Sequence, residues 1–219
     1  MTNIASVRPF QTLADHEVMS EVHRLLQAGG VIAMPTDTLY ALGACAMDEA
    51  AVRRVCAIKG RDAAKPIPVL IGDRFQLEGL VTDVSPAAAI LIDHFWPGPL
   101  TIVFPASVQV PRLLTAGTEA IGIRLPAHRL LQTLLRITGP LTGTSANRSG
   151  APPAQTAQEV EAILGPDIDL ILDGGPSTVT SPSTVVAVGK TVRVLREGPI
   201  DRGALRGVLA AHRLAAEVE

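Results

Sequence analysis

Apolar positions along the chain change period repeatedly, and most changes are marked by Gly, Pro or a capping residue. Val18, Val22, Leu25 and Leu26 share one face of a predicted helix that Asp15 can cap and Gly29-Gly30 ends. Val31 to Met34 is a continuous apolar run before Pro35, the pattern of a short buried strand. Asp48 can cap a second helix with Val52, Val55 and Cys56 inward and Gly60 at its end. Ile67 to Ile71 is strand-like. Ser85-Pro86 opens a helix to about Phe95, and Trp96-Pro97-Gly98-Pro99 turns into a strand from Leu100 to Phe104.

The second half alternates in the same way. Ala120 to Leu125 predicts a strand, and Leu130, Leu131, Leu134 and Leu135 a helix. Pro140 to Thr144 is strand-like and runs into Ser145-Ala146-Asn147. Thr156 and Glu159 form a capping box before Val160 to Leu164. Strands are expected at 168–172, 183–188 and 192–196, and a helix from Asp201. Helices interleaved with β-rich stretches at 100–125 and 168–196 predict an α/β fold of mixed type, with helices packed on a mixed sheet. No internal repeat is visible, and 148–155 is the clearest loop, too short for a domain linker. A single domain over 1–219 is expected, its core at about 12–200 and its terminal helix at 201–219.

Composition narrows the classes. The chain has 219 residues, 47% hydrophobic and 18% charged, which is globular and sufficient for a real core. No apolar run reaches the roughly 20 residues of a membrane span. The first residues carry no basic region followed by an apolar stretch, so a cytoplasmic location and no membrane partner are expected. Net charge is −2 and aromatics are 3%, which argues against a dedicated nucleic-acid module. Cys45 and Cys56 make no metal-type pair and read as two buried thiols in a reducing compartment. Of the 19 basic side chains only Lys59, Lys65 and Lys190 are lysines, and two of them fall within seven residues.

That lysine pair belongs to the first of several polar constellations. Lys59, Arg61 and Lys65 put three cations at a helix end, an arrangement suited to a polyphosphate or to a solvated helix C-terminus. Pro35-Thr36-Asp37-Thr38-Leu39-Tyr40 follows a buried strand, where polar side chains face a cleft or close a turn. Thr144-Ser145-Ala146-Asn147 offers groups that hold phosphate oxygens or a base edge. Arg124 ends a strand and can grip a carboxylate through two parallel bonds. Ser183 and Arg196 lie at strand ends, and His128 follows Arg124. Nucleophile elbow, dinucleotide glycine motif, Walker pattern and metal-spaced histidine pair are all missing. Chemistry between bound substrates, driven by positioning and charge neutralisation, fits such groups.

Seven segments in order give these residues a family likeness: PTDTLYALG at 35–43, KGRDAAKP at 59–66, WPGPLT at 96–101, GIRLPAH at 122–128, TSANRSG at 144–150, SPSTVV at 181–186 and LREG at 195–198. Together they resemble the YrdC family of threonylcarbamoyl-AMP synthases over roughly residues 12–200. The resemblance implies an open, twisted sheet around a large concave basin. It implies ATP, L-threonine and bicarbonate as substrates, Mg2+ accompanying ATP, no protein metal site, and a downstream enzyme that transfers threonylcarbamoyl to tRNA adenosine. By position, Thr38, Tyr40, Arg124 and Ser183 resemble the family's threonine contacts. Arg61, Lys65, Ser145, Asn147 and Arg196 resemble its ATP contacts, and Lys59 with Arg61 its catalytic cations. Ala41, Asp62 and Ala187 depart from the common pattern. Ending in one helix, the chain resembles the short form. An RNA-binding use of the basin, with weak tRNA contact, and a carbamoyl-adenylate-forming relative are the alternatives.

Overall fold

The computed structural model describes residues 5–11, 16–60, 65–214 and 218–219. The first half carries β1 (Ser6–Pro9), α1 (His16–Gln27), β2 (Ile32–Met34), β3 (Ala41–Gly43), α2 (Glu49–Lys59), β4 (Val69–Leu70), α3 (Pro86–Phe95) and β5 (Leu100–Pro105). It continues with α4 (Arg112–Thr115), β6 (Ala120–Arg124), α5 (Arg129–Thr138), β7 (Leu141–Thr142), β8 (Thr144–Ser145) and α6 (Ala157–Leu164). Last come β9 (Leu170–Asp173), β10 (Thr184–Val188), β11 (Val192–Arg196) and α7 (Arg202–Ala211).

Local chemistry sets many of these boundaries. Asp48 Oδ1 accepts the Ala50 and Ala51 amides at 2.9 and 3.2 Å, which satisfies otherwise orphaned donors of α2. Gly60, at φ 57°, ends that helix in the left-handed region that glycine enters without strain. Ser85 and Asp201 cap α3 and α7 in the same manner as Asp48. At α6, Thr156 Oγ1 accepts the Glu159 amide at 3.1 Å, but Glu159 Oε2 takes the Gln155 amide at 2.7 Å. The box therefore closes one residue earlier than its sequence signature implies. The Asp15 cap expected for α1 lies outside the described residues.

The expected mixed sheet is present as two. One has the order β1-β9-β2-β3-β8, the other β11-β10-β5-β6-β4-β7, and both combine parallel and antiparallel pairs. The stretch read as one strand from Pro140 is two short ones: β7 lies in the second sheet and β8 in the first. The two sheets meet there, with Thr142 donating its amide to the Ala44 carbonyl at 2.9 Å. Strands β1 and β3 were not anticipated; β3 lies inside the PTDTLYALG segment. Ile67 to Ile71 contributes only the two residues of β4 to a ladder.

Burial differs between the sheets. The five-stranded sheet is covered on both faces. Val31, Ala33 and Ile171 pack with Val55 of α2 and Val160 of α6, while Ile32, Met34 and Leu170 pack with Val22 of α1 and Leu134 of α5. This explains its unbroken apolar runs. The six-stranded sheet is covered on one face, where Ile102, Ile123 and Val186 meet Leu91 of α3 and Leu205 of α7. Each such side chain removed from water contributes about 1.5–3 kcal/mol. Residues of opposite parity, Thr101, Gly122, Arg124 and Val185, point to the uncovered face. No helix among the described residues is long and apolar enough to cross a membrane.

Candidate functional site

The uncovered face of the six-stranded sheet forms one wall of a basin with a cavity volume of about 720 Å³. Strand register decides what lines it. Arg196 pairs with Val185, and Val185 with Thr101. One step beyond the Ile102–Ile123 pair, Thr101 comes opposite Arg124. Three polar side chains from three strands thus stand in one cross-strand row. Gly198 keeps the following turn close to Pro182–Thr184: a Cβ there would come within 2.4 Å of the Pro182 carbonyl oxygen. A close approach that only glycine permits accounts for Gly198 of LREG packing against SPST.

Arg124 is 5% exposed and aimed by three partners from elsewhere in the chain. Nε donates to the Gly98 carbonyl at 3.0 Å, Nη1 to Thr38 Oγ1 at 2.8 Å and Nη2 to Asp37 Oδ1 at 2.5 Å. A guanidinium has five N–H donors, so two remain for a ligand. Burial lowers the Arg124 pKa and the Asp37 carboxylate opposes that shift. Asp37 belongs to the polar segment that the sequence marks after β2, without a role of its own there, and Gly98 was not singled out.

Ser183 and Arg196 adjoin this corner. Ser183 is buried, its Oγ 2.8 Å from Thr101 Oγ1, and it accepts from Arg196 Nη2 at 3.1 Å. Arg196 Nε also donates to the Ser183 carbonyl at 3.0 Å. Although Arg196 is an exposed residue, desolvation of its guanidinium and then repulsion from Arg124 lower its pKa. Two like charges pressed together in this way favour an anion between them.

A second corner is built on the end of α2. Lys59 is buried, and its ammonium donates to the Ser145 carbonyl at 2.5 Å, the Asn147 carbonyl at 2.9 Å and Asn147 Oδ1 at 3.0 Å. Ser145 Oγ donates to the same Oδ1 at 2.7 Å, and Asn147 Nδ2 donates to the Ala151 carbonyl. The Ser149 amide returns to the Lys59 carbonyl at 2.8 Å, and Arg148 donates to the Ile58 carbonyl. Lys59 therefore shapes the loop that carries Ser145 and Asn147. Lys65 lines the basin as an exposed residue. Arg61 lies outside the described residues.

Tyr40 lines the basin. Its backbone joins the two corners, the carbonyl accepting the Ala146 amide at 2.8 Å. Its side chain is buried, however, and the hydroxyl donates to the Gly175 carbonyl at 2.8 Å and accepts the Gly174 amide at 3.3 Å. Burial first, with the nearby Asp173 charge adding to it, pushes its pKa up to about 12. That hydroxyl supports the 173–175 turn. His128 caps α5, Nδ1 accepting the Leu131 amide at 3.2 Å, and its pKa is lowered by burial.

The described lining includes five cations, Lys59, Lys65, Arg124, Arg193 and Arg196, and no Asp or Glu. Such a lining gives the basin a positive character complementary to anions, with one buried guanidinium keeping two donors open. The chain belongs to the Sua5/YciO/YrdC family, whose model, described as telomere recombination, matches residues 24–198. It is 40% identical over 162 residues to the threonylcarbamoyl-AMP synthase of Pyrococcus abyssi, covering 74% of this chain and 48% of that protein. It is 41% identical over 176 residues to the threonylcarbamoyl-AMP synthase of Thiobacillus denitrificans, covering 78% of this chain and 93% of that one. The fold is similar to crystalline P. abyssi Sua5 complexed with L-threonine, at TM-score 0.91 and 32% identity, over 97% of this chain and 62% of that chain. The chain thus spans about half to two-thirds of the P. abyssi protein and nearly all of the shorter relative.

Proposed function

We propose that the protein is an L-threonylcarbamoyl-AMP synthase, a nucleotidyltransferase that joins ATP, L-threonine and bicarbonate. One observation carries the reading: buried Arg124 keeps two donors for a carboxylate in the same basin as Lys65, Arg193 and Arg196, three further cations suited to a polyphosphate. The names of the relatives support it. In this reading Arg124 holds the threonine carboxylate end, with Thr38 and Ser183 beside it. Held there, the α-carboxylate is kept from the phosphate, so that the wrong group is not activated. The amine captures carbon dioxide, supplied by bicarbonate, and loses a proton to give a carbamate. A carbamate oxygen then attacks the α-phosphorus, the bond to the bridging oxygen breaks, and pyrophosphate leaves.

Lys65, Arg196 and Arg61 neutralise phosphate charge as it shifts towards the leaving group. Lys59 serves the same end by holding the Ser145–Asn147 loop against the nucleotide. Among the described residues no group of three His, Cys, Asp or Glu could hold a metal, and the lining has no carboxylate. Mg2+ in this reading is carried by the triphosphate itself, where it would offset negative charge. The product would pass, in the cytoplasm, to an enzyme that transfers the threonylcarbamoyl group to tRNA adenosine.

The test is pyrophosphate release from ATP with threonine and bicarbonate, omitting each in turn. Release that needs both, with a threonylcarbamoyl-AMP mass in the quenched mixture, is the expected result. Release without threonine would point to a carbamoyl-adenylate reaction. Nucleotide binding without release, together with salt-sensitive tRNA binding, would favour an RNA-binding module.

A further inference from the structure

The loop after β2 contains a hydroxyl whose proton can be followed. Thr36 Oγ1 donates to the Leu39 carbonyl at 2.7 Å, accepts the Thr38 amide at 3.0 Å and lies 3.0 Å from Thr38 Oγ1. A threonine hydroxyl has one proton and two lone pairs. The Thr36 proton is spent on a carbonyl that can only accept, so the contact between the two hydroxyls closes with Thr38 as the donor. Reversing the chain would take a donor from the carbonyl of Leu39, a buried residue, and is disfavoured. Thr36 is then saturated, giving one bond and receiving two. Thr38 has given away its proton and receives Arg124 Nη1–H at 2.8 Å. It keeps one lone pair and lines the basin.

We propose that Thr36 is a specificity-determining positioning residue. It fixes the Thr38 hydroxyl as an acceptor, so that an α-amino acid seated on Arg124 is selected for an O–H donor on its β-carbon. The assignment of that donor rests on the synthase reading, in which the amine reacts at the phosphate side and leaves the β-hydroxyl to face Thr38. Thr36 acts through Thr38, having no bonding capacity left for a ligand. A site with a committed acceptor discriminates against an isostere lacking the donor, because the acceptor is left unpaired. L-Valine is that isostere: a methyl replaces the hydroxyl of L-threonine.

The experiment is calorimetric titration of the full chain with L-threonine, L-serine and L-valine in the absence of ATP, repeated for Thr36→Val and Thr36→Ser. The parent should bind threonine at least about tenfold more tightly than valine. Thr36→Val should narrow that ratio to within about threefold, and Thr36→Ser should preserve it, because only the serine keeps the hydroxyl that fixes Thr38. ATP affinity, titrated separately, should change by less than about twofold in both variants. Equal binding of threonine and valine by the parent would overturn the proposal without recourse to any variant. A Thr36→Val protein that loses affinity for both amino acids in proportion would also overturn it. Discrimination in binding without pyrophosphate release would remove the synthase reading alone. Release with threonine but no discrimination would remove the wiring alone.

Discussion

The two corners of the basin use buried cations in opposite ways. At one, Arg124 is the object of the architecture: Asp37, Thr38 and Gly98, none of them on its own strand, aim its guanidinium and leave two donors open. At the other, Lys59 is the instrument: its ammonium gathers acceptors of the 145–147 segment and gives that loop its shape. A planar fork suits the first task because its donors have fixed directions, and a compact ammonium with rotatable donors suits the second. A buried cation is therefore not by itself a ligand contact. What it donates to decides whether it recognises or supports.

Breaking the Arg124 corner should have the largest effect. Asp37→Asn keeps the shape but leaves a buried guanidinium uncompensated next to Arg196, and a loss of about 3–5 kcal/mol in stability is expected. The threonine carboxylate then supplies the missing charge, so thermal unfolding with and without L-threonine should show a larger stabilising shift than in the parent. An unchanged shift would mean that the carboxylate does not sit on Arg124.

Lys59→Met tests the other corner. It removes charge-assisted bonds worth about 1.5–3 kcal/mol each, and two of them at the lower value correspond to roughly a hundredfold loss or more in kcat/KM for ATP. Pyrophosphate release against ATP concentration reads this directly. A variant with normal ATP saturation would show that the loop holds its shape without the ammonium.

Tyr40→Phe separates support from recognition at the point where the corners join. It should cost about 1–2 kcal/mol in chemical denaturation, with the threonine KM within about threefold of the parent. A large change in KM at unchanged stability would make the hydroxyl a ligand contact.

The smallest effect is expected from His128. Its folded pKa lies below the ordinary 6.5, so the unfolded chain takes up the proton first. The stability involved is complete above pH 6.5 and is lost as pH falls from there through the lowered folded value. His128→Asn keeps a capping side chain for α5 and should flatten that part of the stability–pH curve.

Much of this could be read in the sequence where the signal is local. The caps read at Asp48 and Thr156 recur in the structure, and the helices read to open at Ser85 and Asp201 are capped by those residues, because a cap involves residues two or three apart. The alternation in β5 and β6 assigns Thr101 and Arg124 to the face opposite Ile102 and Ile123. Strand β3 was hidden because three residues paired on both sides show no period of their own. The division into two sheets was hidden because β7 and β8 are separated by a single residue.

By itself, the sequence determined the mixed α/β class, most element boundaries and the membership of the polar segments that line the basin. Hydrophobic period, capping and turn chemistry act over a few residues, and these properties follow from them. Only the tertiary structure decided what each polar group does: that Asp37 holds Arg124, that Lys59 builds a loop, that the Tyr40 hydroxyl faces the 173–175 turn and that Thr36 takes the proton of Thr38. A hydrogen bond has a direction and a partner. For most of these side chains that partner comes from a distant part of the chain, and even for Thr36 the direction is set by the fold of its loop.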